Sequence, residues 1–359
     1  MSNLSAHRKK IILIAVLDWG LGHATRCMPL IRELQRQHYQ IVVAGSGTSL
    51  QLLKEEFPAI PHEEIAGYRI SYPFDNMILN MAIQAPRIIA AIIREHFQIR
   101  TLHQKYHFDG VISDNRYGCF LRGVRSVFMG HQLHILTPYK WLTRLVNLFH
   151  HKWLRRFDEV WIPDIPNGLS GTLSKTRWKN TRHIGLLSRM KPLDVSPQYD
   201  LVAILSGVEP QRTKLENILR LQLQKLDIRV LLVQGIVTKD NAESNTANIR
   251  TIPYLTSEKL NTVMAAANII LCRPGYSSLM DLAVLKKKAV VIPTPGQTEQ
   301  EYLGAYLHKR KMVVCQRQEE VNIAAALDEI RGCSGLAAFI NQPELLERAI
   351  RLTMTKDYS

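Results

Sequence analysis

Three short stretches of this chain place groups that bind anions and hydroxyls directly after apolar runs. In "ANIILCRPGYSSLMDL", residues 267–282, the run ends at Cys272, and Arg273, Gly275, Ser277, Ser278 and Asp281 follow. In "AVVIPTPGQTEQ", residues 289–300, the corresponding groups are Glu299 and Gln300. In "AILSGVEPQRT", residues 203–213, they are Ser206, Gly207, Arg212 and Thr213. Hydroxyls and backbone N–H groups at a strand-to-helix turn suit a phosphate. The helix dipole adds a few tenths to about 1 kcal/mol there, and a guanidinium adds charge-assisted bonds. Asp281 suits a ribose diol, and Glu299 with Gln300 suits sugar hydroxyls. A fourth stretch, "LDWGLGHATRCMPLIREL", puts Gly20, Gly22 and His23 at the same kind of junction. Singly, each of these residues is also an ordinary cap or turn residue. Chance is a poor account of their joint placement at strand ends.

The elements that must position them alternate along the chain. Strands are expected at 10–17, 40–45, 108–114, 126–131 and 158–164, short apolar runs rich in β-branched residues. Helices are expected between them, among them 49–57 and a long one over 76–106. A poorly periodic, Pro-containing stretch, "SRMKPLDVSPQYD", follows, and a second strand series starts at 201, 229, 248, 268, 289 and 312. Such alternation predicts an α/β fold of parallel sheets. The expected partition is an N-terminal doubly wound domain over 1–190, a linker at 191–198, a second such domain over 199–340, and a terminal helix in 341–359. Open α/β sheets place ligands beyond the carboxyl ends of their strands, so both sheets would face one cleft.

The 359 residues suffice for two cores, and 46 basic against 31 acidic residues leave a charge of +15. That balance favours acidic partners. No RNA- or DNA-binding signature accompanies it, so nucleic acid is not expected. The five cysteines are odd in number and scattered, which suits a reducing cytosol. The basic leader "MSNLSAHRKK" lacks the apolar length and cleavage site of a signal peptide, and no window reaches the length of a membrane span. Residues 140–157, "KWLTRLVNLFHHKWLRRF", form a basic amphipathic pattern. It fits either a helix at an anionic membrane surface or one packing its apolar side inward.

The series "ANIILCRPGYSSLMDL" followed by "VIP…EQEY" resembles the GT-B nucleotide-sugar glycosyltransferases, most closely the MurG-like branch of family 28. "SGVEPQRT" and "GLGHATR" fall where that family has glycine-rich turns. The resemblance implies a UDP-sugar donor on the second domain. Asp281 would hold the ribose, where the family usually has glutamate. Ser206, Gly207, Arg212, Ser277 and Ser278 would face phosphate, and Glu299 and Gln300 would meet the sugar. The Leu255 backbone would meet the nucleobase. In the first domain His23 matches the histidine after the first turn, here "DWGLGH" in place of "GGTGGH". Asp114 matches the aspartate paired with that histidine in related plant enzymes. The implied acceptor is lipid-linked or a glycan, with Gly20 and Gly22 on its side. "SDNRYG" and "GHQLH" both follow strands, so Asn115, Arg116, His131 and Gln132 are either candidates for acceptor recognition or buried polar residues satisfied by backbone.

Those residue types fit inverting transfer. Neutral imidazole takes the acceptor hydroxyl's proton, and a carboxylate fixes its tautomer. Helix N-termini with Arg212 or Arg273 would stabilise the departing diphosphate without a metal. The DxD signature of metal-dependent transferases is absent from the sequence. His131 with His134, or His103 with His107, lacks a third metal ligand. The expectation is therefore a cytoplasmic, metal-independent glycosyltransferase, peripheral at the membrane's inner face if its acceptor is a lipid. A UDP-sugar 2-epimerase and a non-catalytic nucleotide-sugar-binding protein are the alternatives.

Overall fold

The computed structural model describes residues 8–68, 77–236, 243–246 and 248–355. Residues 1–7 of the basic leader, Asn76 of the expected long helix, and 356–359 of the terminal segment lie outside the described residues.

The first sheet contains β1 (Ile11–Val16), β2 (Gln40–Gly45), β3 (His62–Glu64), β4 (Gly110–Asp114), β5 (Arg125–Met129), β6 (Glu159–Ile162) and β7 (Thr181–His183). Its spatial order is β3-β2-β1-β4-β5-β6-β7, and every pairing is parallel. The second sheet contains β8 (Tyr199–Ile204), β9 (Val230–Val233), β10 (Ser244–Thr246), β11 (Ile249–Ile252), β12 (Ala267–Cys272), β13 (Lys288–Val291) and β14 (Val314–Cys315). Its order is β10-β11-β9-β8-β12-β13-β14, parallel apart from the β10–β11 edge pair. Each order reverses once, between β1 and β4 and between β8 and β12. At such a point the crossovers leave in opposite directions and open a crevice for a ligand.

The helices are α1 (Gly22–Arg36), α2 (Gly47–Glu56), α3 (Met77–Tyr106), α4 (Lys140–Leu154), α5 (Gln211–Leu223), α6 (Ser257–Ala265), α7 (Tyr276–Val284), α8 (Thr298–Lys309), α9 (Ile323–Glu329) and α10 (Pro343–Met354). They cover both faces of each sheet, which explains the near-continuous apolar strands. Alternate β1 residues serve different layers: Ile12, Ile14 and Val16 join one core cluster, Leu13 and Ala15 another. In β8, Val202 faces one layer while Leu201 and Ala203 face the other. Each of the Leu, Ile and Val side chains among them contributes about 1.5–3 kcal/mol by leaving water.

One apolar cluster runs from the first sheet into the second. Leu186, Leu187 and Met190, beyond β7, pack in the same cluster as Tyr276, Met280 and Leu303. Residues 191–198 have no helix or strand and are exposed. The terminal helix does not stay with the second sheet. α10 packs on α1, Thr353 Oγ1 donates to Glu159 Oε2 at 2.9 Å, and Lys10 Nζ donates to the Met354 carbonyl at 3.2 Å. The last element of the chain thus closes the helical layer of the first sheet.

Candidate active site

β1 and β4 end side by side, with Val16 opposite Asp114, and the loops beyond them carry polar groups into the crevice. Gly20 takes φ +75°, a left-handed conformation that suits glycine. α1 starts at Gly22 with no side chain capping its first turn. A Cβ on Gly22 would lie 2.8 Å from Ser277 Oγ of the second sheet's layer, so this glycine permits close approach of the two halves. His23 Nδ1 lies 2.8 Å from Asp114 Oδ2, and Asp114 is fully buried. An ionised carboxylate has no proton to give, so Nδ1 carries the hydrogen and donates it. Nε2 is left with a free lone pair.

Arg26 takes the other carboxylate oxygen. Its Nε donates to Asp114 Oδ1 at 2.8 Å, and its Nη2 reaches the same atom. Burial would raise the Asp114 carboxyl, but Arg26 and then His23 outweigh it and hold the group below the usual carboxylate range. Burial lowers His23, and Arg26 lowers it further against the pull of Asp114, so the imidazole is neutral at pH 7. The sequence reading did not include Arg26. The available signal was its spacing of three from His23, which puts both on one helix face.

The second sheet's helices approach from the opposite side. His131, beyond β5, lies with Nε2 at 2.8 Å from Glu299 Oε1 at the start of α8. Its ring stacks on Tyr276, centroids 3.7 Å apart and planes within 3°. Tyr276 donates its hydroxyl hydrogen to the Pro163 carbonyl at 3.0 Å, and Ser277 Oγ donates to the Gly22 carbonyl at 2.9 Å. Burial would raise Glu299, but His131 and Arg26 hold it below the ordinary range.

On the donor side the expected residues divide. Gly275 precedes α7 with no side-chain cap on the helix, so the first-turn amides beside Ser277 and Ser278 are open to an anion. Asp281 accepts from Ser188 Oγ at 2.5 Å, and burial lifts its carboxyl to about 6 against Arg189 and Ser188. Ser206 and Gly207 are exposed, and Gly207 takes φ +104°. Leu255 is half-buried against the core.

Three arginine expectations need correction. Arg212 is not free for phosphate: Nε donates to Glu209 Oε1 at 2.6 Å and Nη1 to Glu216 Oε2 at 2.8 Å. Glu209 also accepts from the Thr213 amide at 3.2 Å, so a carboxylate occupies the α5 turn where an anion was expected. Arg273 is buried and donates from Nη1 to the Ile292 and Pro293 carbonyls, both at 2.9 Å, and burial lowers it to about 10. It braces the loops around the cleft. Arg116, expected on the acceptor side, is fully buried, pairs with Glu95 at 2.7 Å and donates to the Val16 carbonyl at 2.9 Å.

Gln300 likewise holds the β13–α8 turn, accepting from the Thr294 amide at 2.8 Å. Asn115 takes φ +60° and donates its amide to the Met129 carbonyl at 3.1 Å, at the crevice edge. Gln132 is half-buried, and its carbonyl accepts from His150 Nε2 at 3.1 Å. Among the described residues, no three His, Cys, Asp or Glu side chains converge to hold a metal ion.

Two doubly wound sheets turned toward one crevice make this a GT-B fold, and solved structures agree. A glycotransferase of kitacinnamycin superposes with a TM-score of 0.66 at 15% identity, covering 97% of this chain and 96% of that one. MurG of Acinetobacter baumannii gives 0.61 at 15% identity over 97% and 100%. The spinosyn rhamnosyltransferase SpnG, complexed with thymidine diphosphate, gives 0.65 at 13% over 97% and 100%. Residues 211–333 match the glycosyltransferase family 28 C-terminal domain. The UDP-N-acetylglucosamine–N-acetylmuramyl-(pentapeptide) pyrophosphoryl-undecaprenol N-acetylglucosamine transferase of Pasteurella multocida is 22% identical over 309 residues, 84% of this chain and 82% of that protein. The chain is a glycosyltransferase of GT-B fold, and its residues 211–333 are similar to the C-terminal domain of family 28.

Proposed function

We propose that this enzyme moves a sugar, with inversion and without a metal, from a UDP-linked donor to a lipid-linked hydroxyl acceptor at the cytoplasmic membrane face. The observation that carries this reading is the His23–Asp114 hydrogen bond of 2.8 Å at the end of β4, faced across the crevice by the α7 and α8 turns of the family-28-like domain. His23 Nε2 takes the acceptor hydroxyl's proton as the oxygen attacks the anomeric carbon. Asp114 stabilises the imidazolium that forms. The bond to the diphosphate breaks on the opposite face, which inverts the centre. With Arg212 and Arg273 committed elsewhere, the leaving group's charge falls to the uncapped first turns of α1 and α7.

The lipid acceptor is supported by the Pasteurella relative, whose name specifies a pyrophosphoryl-undecaprenol substrate, and by α4. That helix docks through polar side chains: Asn147 bonds both backbone groups of Ile135 at 2.9 Å, and His151 bonds the Leu133 carbonyl at 2.9 Å. Trp141 (66%), Leu148 (69%) and Phe149 (59%) stay exposed beside Lys140, Arg144 and Lys152. No helix among the described residues is long and apolar enough to cross a membrane.

The test is a panel of UDP-, GDP- and dTDP-sugars with the purified protein, with and without chelator. A specific donor raises apparent stability by about 2.7 kcal/mol at a hundred times its dissociation constant. Stabilisation by one UDP-sugar in chelator, followed by release of UDP when a polyprenyl-diphosphate-linked acceptor is added, supports the reading. Stabilisation that requires a divalent metal, or by no nucleotide sugar, refutes it.

A further inference from the structure

Arg26 lies between two imidazoles that serve opposite halves of the crevice, and its donors are divided between them. Nε and Nη2 engage Asp114 Oδ1 behind His23, while Nη1 reaches His131 Nδ1 at 3.5 Å. His131 Nε2 in turn meets Glu299 Oε1 at 2.8 Å. The guanidinium and the Asp114 carboxylate are both buried. A guanidinium only donates, and an ionised carboxylate only accepts. Each hydrogen therefore has one place to go. Nδ1 of His131 accepts from Arg26, so Nε2 carries the hydrogen and donates it to Glu299. His23 has the opposite tautomer, with its hydrogen on Nδ1 directed at Asp114 Oδ2.

We propose that Arg26 is the positioning residue of this site, one guanidinium that fixes the His131 tautomer directly and anchors the Asp114 carboxylate that fixes the opposite tautomer on His23, and so ties the base of the first sheet to the carboxylate of the second. Its kinetic consequence rests on the transferase reading above; the tautomer assignment does not. Arg26 Nη2 also stands 3.0 Å from His23 Nδ1. That nitrogen already carries a hydrogen, so the contact sets a fixed positive charge beside the ring and disfavours its protonation at rest. The charged and titratable groups facing His23 are Arg26 on its own helix, Asp114 from β4 and His131 beyond β5, with Glu299 of α8 behind His131. A lysine would supply the charge but not the planar fork that reaches both partners.

The experiment labels the histidine rings with nitrogen-15 and compares Arg26→Gln and Arg26→Lys with the unaltered protein, alongside the pH profile of transfer. The unaltered protein is expected to show one buried imidazole protonated at Nδ1 and another at Nε2, assigned with His23→Ala and His131→Phe. In Arg26→Gln the His131 ring loses its fixed tautomer, while neutral His23 keeps its hydrogen on Nδ1 through Asp114; the acid limb of the profile moves to higher pH, and kcat falls at least tenfold. Arg26→Lys keeps the acid limb near its original place but recovers only part of kcat. An unchanged His131 tautomer in Arg26→Gln overturns the inference, even if transfer is slower. If Arg26→Gln does not fold, Arg26→Lys decides alone: full recovery of kcat with both tautomers intact refutes the role of the fork. An altered His131 tautomer with no transfer from any donor would leave the inference standing and sink the transferase reading.

Discussion

His131 and Glu299 are 168 residues apart and meet at 2.8 Å, joining the crevice ends of the two sheets through a charged carboxylate and a stacked imidazole. In this arrangement Glu299 already has a hydrogen-bond donor before any sugar arrives. A donor hydroxyl must share or replace that bond. Glu299→Ala should therefore raise the donor KM about tenfold, the worth of one hydrogen bond to a charged group, and change kcat less. His131→Phe keeps an aromatic ring on Tyr276 but leaves Glu299 without its donor. It should lower the melting temperature by a few degrees, a loss of about 1 kcal/mol for a part-exposed carboxylate. Steady-state kinetics and thermal melts check both; an unchanged donor KM in Glu299→Ala removes this residue from the donor site.

His23→Ala should slow transfer by about 10²–10⁴-fold, the range for a lost general base, with donor-induced stabilisation intact. Asp114→Asn should cost a similar factor, because an amide can accept poorly from Nδ1 and can present a donor to it instead. Burial and Arg26 hold the His23 pKa below its ordinary value, so the imidazole is already neutral at pH 7. Transfer is then expected to be flat through neutral pH and to fall as pH drops through that lowered value. A profile that rises between pH 7 and 9 would point to a different base.

Asp281 is costly to the folded state. Burial raises its carboxyl to about 6 from an ordinary 3.8, so the folded protein holds this proton more tightly than the unfolded chain. Stability from that proton is present below pH 3.8 and is lost as pH rises through about 6. The penalty at neutral pH is on the order of 1–3 kcal/mol. Asp281→Asn should therefore melt higher than the unaltered protein at pH 8 and about equally at pH 4, while losing donor stabilisation. That combination separates a binding carboxylate, retained at a cost, from a structural one. A lower melting temperature for the variant at pH 8 would assign the Ser188 hydrogen bond the larger part.

The fold was legible because the buried strands announce themselves. β1, β8 and β12 are apolar on both faces, and α3 carries its pattern over 30 residues. The strands that escaped notice are β3, β7 and β10, with sequences HEE, TRH and SNT. Backbone pairing alone recruits them to sheet edges, and no side-chain periodicity marks that. The crevice was legible where polar residues follow a strand end, as at His23, Asp114 and Glu299, which the structure brings to its two sides. It was misread where a guanidinium near a turn was taken as free. Glu209, Arg212 and Glu216 stand at helical spacings of three and four, a pattern that signals internal pairing. Arg273 gave no such sign, since its partners are carbonyls brought close only by the fold. The Arg26–His131–Glu299 chain joins three distant segments and left no local trace.

Residues 140–157 fit two arrangements in sequence, and the structure divides them: Leu154 and Phe157 are buried, while Trp141, Leu145, Leu148 and Phe149 face outward. The inward face is held by Asn147, His150 and His151, so the helix does not depend on its outer apolar residues for docking. Trp141→Ser with Phe149→Ser should therefore leave the melting temperature within about 1–2 °C, as exposed substitutions do. If the outer face inserts at a membrane interface, the pair should weaken binding to anionic phosphatidylglycerol vesicles by about tenfold or more, since each aromatic side chain contributes roughly 1 kcal/mol or more when it leaves water. Lys140, Arg144 and Lys152 add an electrostatic part that high salt screens, so raising salt should reduce binding of the unaltered protein without abolishing it. Flotation of vesicles with and without anionic lipid measures both effects. Equal binding by the variant and the unaltered protein would show that α4 does not enter the bilayer surface and that any membrane contact lies elsewhere on the molecule.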